Sequence, residues 1–476
     1  VKKISNKVKI ILFSLTGALI LTAMILILWF TEIKEDIPPP PEPPPVQNTL
    51  SFFDNYSGED VREIRITNRN DSGYTVLVTP DGDVSIAEFE ERSEDIPYNT
   101  QGLINAVNSI GKIFSREVVE EDADLGKYGL DIPTAEVNVK FADDTSVTFY
   151  IGDYTPTGGD LYFRIEFTRD VHVVNENIIS AFSRERYYWM SKQLFSDYDS
   201  EKAEIITRAE ILRKGKEPFI IEAIPSVALE ETRSFNTHKL TSPIGVEIDQ
   251  IKSAQILFGL FGMYADEAAW VGLEELDYKN TGTDDPENTE CIVKISTESE
   301  TITLTVGDLE PKNKQGHFVI SSEHPDVLYF VRTENLPWLA VKAEDLIAEM
   351  FLTPYIYSLE RVLIEAGEIS LDVPISEGET SEAFRDFYQF LVAARGEELF
   401  MSETTLPEQD LLARITYVYK DDTFAPDILE YYKSENLKSV ICVNGVNLFK
   451  VRDLYTTRLV ENINSYMNGG DINYDW

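Results

Sequence analysis

Ala135-Glu-Val-Asn-Val-Lys-Phe141 and Ser146-Val-Thr-Phe-Tyr-Ile151, closed by Gly152-Asp153, decide the fold, because the same pattern returns downstream. Its second appearance is Cys291-Ile-Val-Lys-Ile295 and Thr301-Ile-Thr-Leu-Thr-Val306, closed by Gly307-Asp308. Apolar and polar residues alternate with period two, as in paired strands with one buried face. Asp143-Asp144 turns the first pair and Thr297-Glu-Ser-Glu300 the second. Aromatic strands follow, Tyr162-Phe-Arg-Ile165 and His317-Phe-Val-Ile320, then Asp170-Val-His-Val-Val174 and Asp326-Val-Leu-Tyr-Phe330. Short apolar helices are expected at Ile178–Phe182 and Leu336–Leu339. Shared order over residues 135–182 and 291–339 identifies an internal duplication.

Upstream of each unit stand two strands and an amphipathic helix. In the first copy these are Glu63-Ile-Arg-Ile-Thr67, Tyr74-Thr-Val-Leu-Val78 and a helix over Gln101–Phe114, striped by Leu103, Val107, Ile110 and Phe114. The second copy has Ala209-Glu-Ile-Leu212, Pro218-Phe-Ile-Ile-Glu222 and a helix near Val246–Met263. A third, diverged copy begins with Val362-Leu-Ile364, Ile369-Ser-Leu371 and a helix Glu382–Ala394. It closes with strands at Ile415–Tyr419, Ser439–Val443 and Asn447–Val451, an Asn444-Gly445 hairpin turn, and a helix Leu454–Met467. The fold class is α+β: three tandem modules of antiparallel strands and amphipathic helices, over 49–196, 197–352 and 353–476.

The pattern Lys127-Tyr-Gly-Leu-Asp131, Val137–Phe141, Ile151-Gly-Asp153, Thr155-Pro-Thr-Gly158 and Leu161-Tyr-Phe-Arg164 resembles a bacterial domain-of-unknown-function family, DUF4340. The entry strand Ser57-Gly-Glu-Asp-Val61 with Ile64-Arg-Ile66, and the C-terminal Val440-Ile-Cys-Val-Asn-Gly445 with Phe449, Tyr455 and Leu459, are similar too. The likeness runs over roughly residues 50–466. It implies a body anchored by one N-terminal helix and encoded beside gliding-type ABC transporter components. It brings no activity, cofactor or catalytic residue. The second copy departs from the pattern after Gly307-Asp308, where Leu-Glu-Pro-Lys-Asn-Lys-Gln-Gly replaces Thr-Pro-Thr-Gly, and in a polar insertion around Asn280–Glu290.

The N-terminus predicts the anchor. Lys2, Lys3, Lys7 and Lys9 form a basic cap over 1–9, followed by Ile10–Phe30, 21 residues without charge. That length spans a bilayer, and clustered lysines hold the N-terminus in the cytoplasm. A cleaved signal has a shorter apolar core and small residues before the cut, whereas this run ends in Leu26-Ile-Leu-Trp-Phe30. The reading is a transmembrane signal anchor over 10–31, with the C-terminal body extracytoplasmic at the cell membrane. The chain opens on Val1 rather than Met, which implies an alternative start codon or a start slightly upstream. Pro38–Pro41 and Pro43–Pro45 make residues 32–48 a stalk, its proline segment a polyproline spacer of roughly 25 Å.

The formal net charge is −41, and setting aside the four cap lysines leaves about −45 on the remainder. Such a surface repels nucleic acid and anionic polymers. Two cysteines, Cys291 and Cys442, sit in apolar runs and read as small core residues on strands.

Chemistry is sparse. His172 and His317 fall in predicted strands, His238 and His324 in polar loops, and none is paired at metal-ligand spacing. Neither Gly-x-Ser-x-Gly nor a phosphate loop occurs, and the acidic runs Glu120–Asp124 and Asp284–Glu287 lack calcium-loop spacing. No catalytic, metal or cofactor residue is assigned. Tyr162, Phe163, Tyr187, Tyr188 and Trp189 are the candidate ligand or partner contacts, as an aromatic platform set against ordinary core packing. The expectation is a non-enzymatic, membrane-anchored envelope protein, an interaction or accessory subunit whose partners, permease or ATPase subunits of an ABC-type complex, follow from the resemblance. The alternatives are an extracytoplasmic glycan- or peptide-binding module and a carboxylate-based hydrolase.

Overall fold

The computed structural model describes residues 50–69, 73–93, 95–202, 204–224, 236–311, 315–376, 380–402 and 404–475. The cap, the apolar run and the stalk expected over 1–48 lie outside them. Among the described residues no helix is long and apolar enough to cross a membrane.

The protein is α+β, with three large antiparallel sheets in chain order. The first uses β2 (Val61–Asn68), β3 (Tyr74–Val78), β4 (Val84–Ile86), β6 (Glu117–Glu120), β7 (Ala135–Phe141), β8 (Ser146–Tyr154), β9 (Asp160–Ile165) and β10 (Val171–Asn175). The two-residue strands β1 (Leu50–Ser51) and β5 (Phe114–Ser115) pair beside it. The second uses β11 (Arg208–Arg213), β12 (Phe219–Ala223), β13 (His238–Ser242), β14 (Val246–Glu247), β15 (Glu267–Val271), β16 (Cys291–Ser296), β17 (Thr301–Leu309), β18 (Gly316–Ser321) and β19 (Val327–Arg332). The third uses β20 (Leu359–Ala366), β21 (Ile369–Pro374), β22 (Glu398–Ser402), β23 (Leu411–Tyr419), β24 (Asp427–Lys433), β25 (Lys438–Val443) and β26 (Val446–Arg452).

One topology recurs. Strand orders are β4-β3-β2-β7-β8-β9-β10-β6, then β14-β13-β12-β11-β16-β17-β18-β19-β15, then β21-β20-β23-β24-β25-β26-β22. Each time a meander leaves the sheet, a helix crosses over, a short strand is laid at the far edge, and a four-strand meander fills the gap. The helices are α1 (Thr100–Ser109), α2 (Gln250–Phe258) and α3 (Glu382–Ala393), with α4 (Leu454–Met467) closing the chain. Central pairs align Ile64 with Val139, Ile211 with Val293 and Ile364 with Ile415, all buried. β7 alternates buried and accessible residues, as an antiparallel strand with one face on the core does. Each crossover helix turns its apolar stripe to its sheet, α1 through Leu103, Ala106 and Val107.

Two helices are shorter than their apolar patterns. Residues 101–114 divide into α1, a 3-10 turn at Ile110–Lys112, and β5. At the turn, Gly111 lies so close to the Tyr56 carbonyl that a Cβ would stand 2.7 Å from it. Residues 246–263 divide into β14 and α2, because the Asp249 carboxylate caps the backbone N–H groups of Ile251 and Lys252 at 2.8 and 3.0 Å. The edge strands β6, β15 and β22 were not read from sequence. His238, expected in a loop, lies buried in β13. The Asn444-Gly445 turn is as expected, with positive φ at both residues.

The chain between modules forms a strap that ties the helices of neighbouring sheets together. Met190 bridges to Tyr98, and the Asn99 N–H donates to the Trp189 carbonyl at 2.8 Å, at the entrance to α1. A few residues on, Gln193 bridges to Tyr264, and the Leu194 N–H donates to the Met263 carbonyl at 2.8 Å, beyond the exit of α2. The second strap repeats this: Ile347 bridges to Ile248 before α2, and Met350 to Arg395 after α3. The Phe351 N–H donates to the Ala394 carbonyl at 3.3 Å. At the start of the described chain, Ser51 opposes Phe114 and the Phe52 N–H donates to the Ile113 carbonyl at 3.2 Å, beyond the exit of α1. Each strap then buries an apolar residue: Phe53, Phe195 and Leu352 are at most 2 % exposed. One core cluster consequently runs from Phe53 to Ile463.

Burying such a side chain contributes about 1.5–3 kcal/mol, and truncating it also leaves a cavity. Phe195→Ala is expected to cost about 3–5 kcal/mol and Leu352→Ala about 2–5 kcal/mol in guanidinium denaturation. Ile251→Ala, on an exposed face of α2, should stay within about 0.5 kcal/mol.

Candidate interaction site

The five candidate aromatics do not form one platform. Phe163 is fully buried, its ring 4.8 Å from Phe52 and 5.3 Å from Phe149. Tyr162, next along β9, points to the opposite face. It meets Tyr128 edge-on at 4.8 Å, within a small cluster of Ala123, Leu130 and Val171. Trp189 is buried and donates its indole N–H to the Tyr74 hydroxyl at 2.7 Å, while Tyr74 donates to the Arg184 carbonyl. Tyr188 is half exposed beneath the Arg184 guanidinium. Tyr187 alone reaches across to the second sheet.

There it helps to clasp an edge strand. Trp270, on β15, lies 6.2 Å from the Tyr187 ring, with the Arg92 guanidinium 4.8 Å from its own ring centre. Gly272 follows with a φ of +69°, and a Cβ there would stand 2.5 Å from the Arg92 Cβ. The Ser93 hydroxyl donates to the Asp326 carboxylate at 3.0 Å. Edge strands expose unpaired backbone, and covering them is a standard protection. The first module therefore docks on the crossover edge of the second sheet through a cation–π contact, an aromatic contact and a hydroxyl–carboxylate hydrogen bond. Sequence reading found Tyr187 but missed Arg92 and Trp270, which lie 178 positions apart with no local pattern linking them.

Beside this seam the strap borders a cleft of about 480 Å³ lined by Ser196, Asp197, Tyr198, Glu204, Thr297 and Glu323 among others. The Ser196 N–H and hydroxyl both donate to Glu323 at 3.0 Å. The hydroxyls of Thr297 and Ser299 each donate to Glu204 at 2.7 Å and hold its carboxyl below the usual range. The same direction holds at Asp60, Glu120, Asp143, Asp266, Glu398 and Asp421. At Asp266 burial pushes upward, but hydrogen bonds and charge from Arg332 outweigh it. Each of these seven carboxyls is thus held below its usual range, the direction opposite to the raised pKa that a general acid needs at neutral pH. Burial pushes the Cys291 thiol up to about 12 and that of Cys442 to about 11, away from nucleophilic use. Among the described residues no cluster of three or more metal-ligating side chains occurs.

The glycine motifs are structural locks. A Cβ on Gly152 would stand 2.2 Å from the Tyr128 carbonyl, and one on Gly129, at φ +65°, 2.4 Å from the Asp153 carboxyl carbon. The second sheet repeats this with Gly307 against the Thr281 carbonyl and Gly282, at φ +66°, against Asp308. Thr281-Gly-Thr-Asp284 is therefore the counterpart of Tyr128-Gly-Leu-Asp131, inside the stretch read as a polar insertion.

Residues 91–267 match the family model of a domain of unknown function, DUF4340. No curated protein matches the chain.

Two outcomes follow from this geometry. Arg92→Ala and Trp270→Ala should be non-additive, with a double-mutant coupling of about 0.5–2 kcal/mol by denaturation, the range of a cation–π contact. Burial lowers the pKa of His172, His238 and His324 below 6.5. The unfolded chain then binds more protons between those values and 6.5, so stability is full above 6.5 and lost as pH falls. The melting temperature should drop from pH 6.5 to 5, and drop less in His238→Gln. An unchanged melting temperature over that interval would contradict the assignment.

Proposed function

We propose, for a chain whose residues 91–267 match the DUF4340 family model, that it is a non-catalytic, membrane-anchored envelope protein acting as an interaction or accessory subunit of an ABC-type transport complex. The uncharged run 10–31 anchors it with the N-terminus cytoplasmic, the proline stalk lifts the body from the bilayer, and the body works outside the membrane. The observation that carries the reading is the clasp on Trp270: this fold already uses a crossover edge strand as a docking surface, within its own chain. A strapped row of three similar sheets offers that kind of surface more than once. The ABC-type partner rests on what the family resemblance implies, an argument by association.

Tagged full-length protein extracted from native membranes in mild detergent should recover a permease and an ATPase in stoichiometric amounts by mass spectrometry. A form lacking residues 1–48 serves as control. Recovery of the full-length protein alone would overturn the proposal.

A further inference from the structure

The three sheets differ at the edge that opens each module. On the first two, the second strand is covered: β3 pairs with β4 and β12 with β13, and the sheets end on strands of three and two residues, β4 and β14. β21 holds the same place on the third sheet, and among the described residues no strand pairs with its outer side. The registers set Val76 opposite Ile64, Phe219 opposite Ile211 and Leu371 opposite Ile364, so these three are counterparts. Val76 and Phe219 are 3 % and 1 % exposed, whereas Leu371 is only half-buried, as are Ile369 and Val373 in the same row. Natural edges are blunted by shortness, bulges, charge or proline. β21 has six residues in unbroken register, with its proline at the last position. Its one charge, Asp372, is already paired with Arg361 at 2.9 Å.

The backbone narrows what fits there. The Ile375 N–H donates to the Glu360 carbonyl at 2.8 Å, toward β20. Alternation along an antiparallel strand then turns the amide groups of Leu371 toward β20 and those of Ser370 and Asp372 outward. Pro374 faces outward too, without an N–H. This edge is self-complementary about Leu371. With two copies antiparallel and Leu371 opposite its own copy, Ser370 and Asp372 exchange both N–H···O=C bonds, and Ile369 lies opposite Val373 on the apolar face. Pro374 then falls opposite Glu368 in the turn, beyond the paired residues. The neighbouring registers that join outward amides set Asp372 against Glu368 or against another Asp372, and like charges directly opposite are destabilising.

We propose that β21 is the docking edge for a second copy of this chain, joined β21 to β21 about Leu371 so that one sheet continues across both molecules. This pairing goes beyond the accessory-subunit reading and stands without it. The net charge of −41 opposes association of copies, so the pairing should tighten as salt screens it. The test places single cysteines in the full-length protein in native membranes, the natural Cys291 and Cys442 being buried. A non-hydrogen-bonded pair brings Cα atoms to about 4.5 Å, within disulfide reach, whereas Ile369 and its own copy would stand roughly 14 Å apart. Under a mild oxidant, Leu371→Cys is expected to give a disulfide-linked homodimer. Ile369→Cys and Val373→Cys should give none singly and a mixed dimer when combined. Ser370→Pro removes an outward N–H and leaves the bonds to β20 in place, so it should lower the Leu371→Cys dimer about tenfold or more at unchanged melting temperature. Absence of a dimer from a Leu371→Cys protein with the parent's melting temperature overturns the proposal. Equal dimer from all three single cysteines reports random collision and contradicts it as well. A disulfide to a different protein rules out the second copy as the occupant.

Discussion

The strap between modules is the constraint on which the rest depends. Residues 190–195 and 347–352 each join two hydrogen-bonded contacts: one at the entrance of a crossover helix, the other past the exit of the next. Six residues reach about 20 Å when extended, so neighbouring helices stay close to a fixed separation. Phe195 and Leu352 are buried at the far ends, and the Phe351 ring packs on Phe449 and Tyr455 of the third module. The consequence is packing of the first module against β15, and from it the clasp of Trp270 by Arg92 and Tyr187. The family match agrees with this unit better than with any closed sheet. It begins at residue 91, ahead of α1, and ends at residue 267, just past the contact at Met263. It spans the strap and both helices that the strap ties.

Much of this was legible in the residues. Period-two alternation placed β7, β8, β16 and β17, because one buried face imposes that alternation whatever the distant partner. Asn444-Gly445 announced its turn, whereas the Gly-Asp pairs expected to close their strands lie inside β8 and β17, at register slips. The edge strands escaped because they are short and bulged, and they pair with strands far along the chain. Helix lengths were overread where apolar residues past the last turn serve the strap contact instead. The strap itself left a trace that self-comparison can recover: Phe52-Phe53 with Tyr56, Leu194-Phe195 with Tyr198, and Phe351-Leu352 with Tyr355 share one spacing. The aromatic candidates scattered because adjacent residues of a strand face opposite ways, a fact that proximity in sequence conceals.

The perturbed carboxylates are held ionised by hydroxyls, backbone N–H groups and cationic side chains, and the thiols are kept protonated by burial. The glycine signatures hold loops against register slips. All three crossover edges expose an apolar side chain, Val118 on the first, Trp270 on the second and Phe400 on the third, and cationic side chains lie over Trp270 and Phe400. Surfaces of this kind serve recognition between chains.

Native-state hydrogen exchange on the full-length protein tests the central claim most directly. If each strap belongs to the sheet it enters, the amides of Leu194 and Phe351 exchange together with the second and third sheets respectively, and the amide of Phe52 with the first. Strap amides that exchange freely, or that open with the preceding sheet, would contradict it.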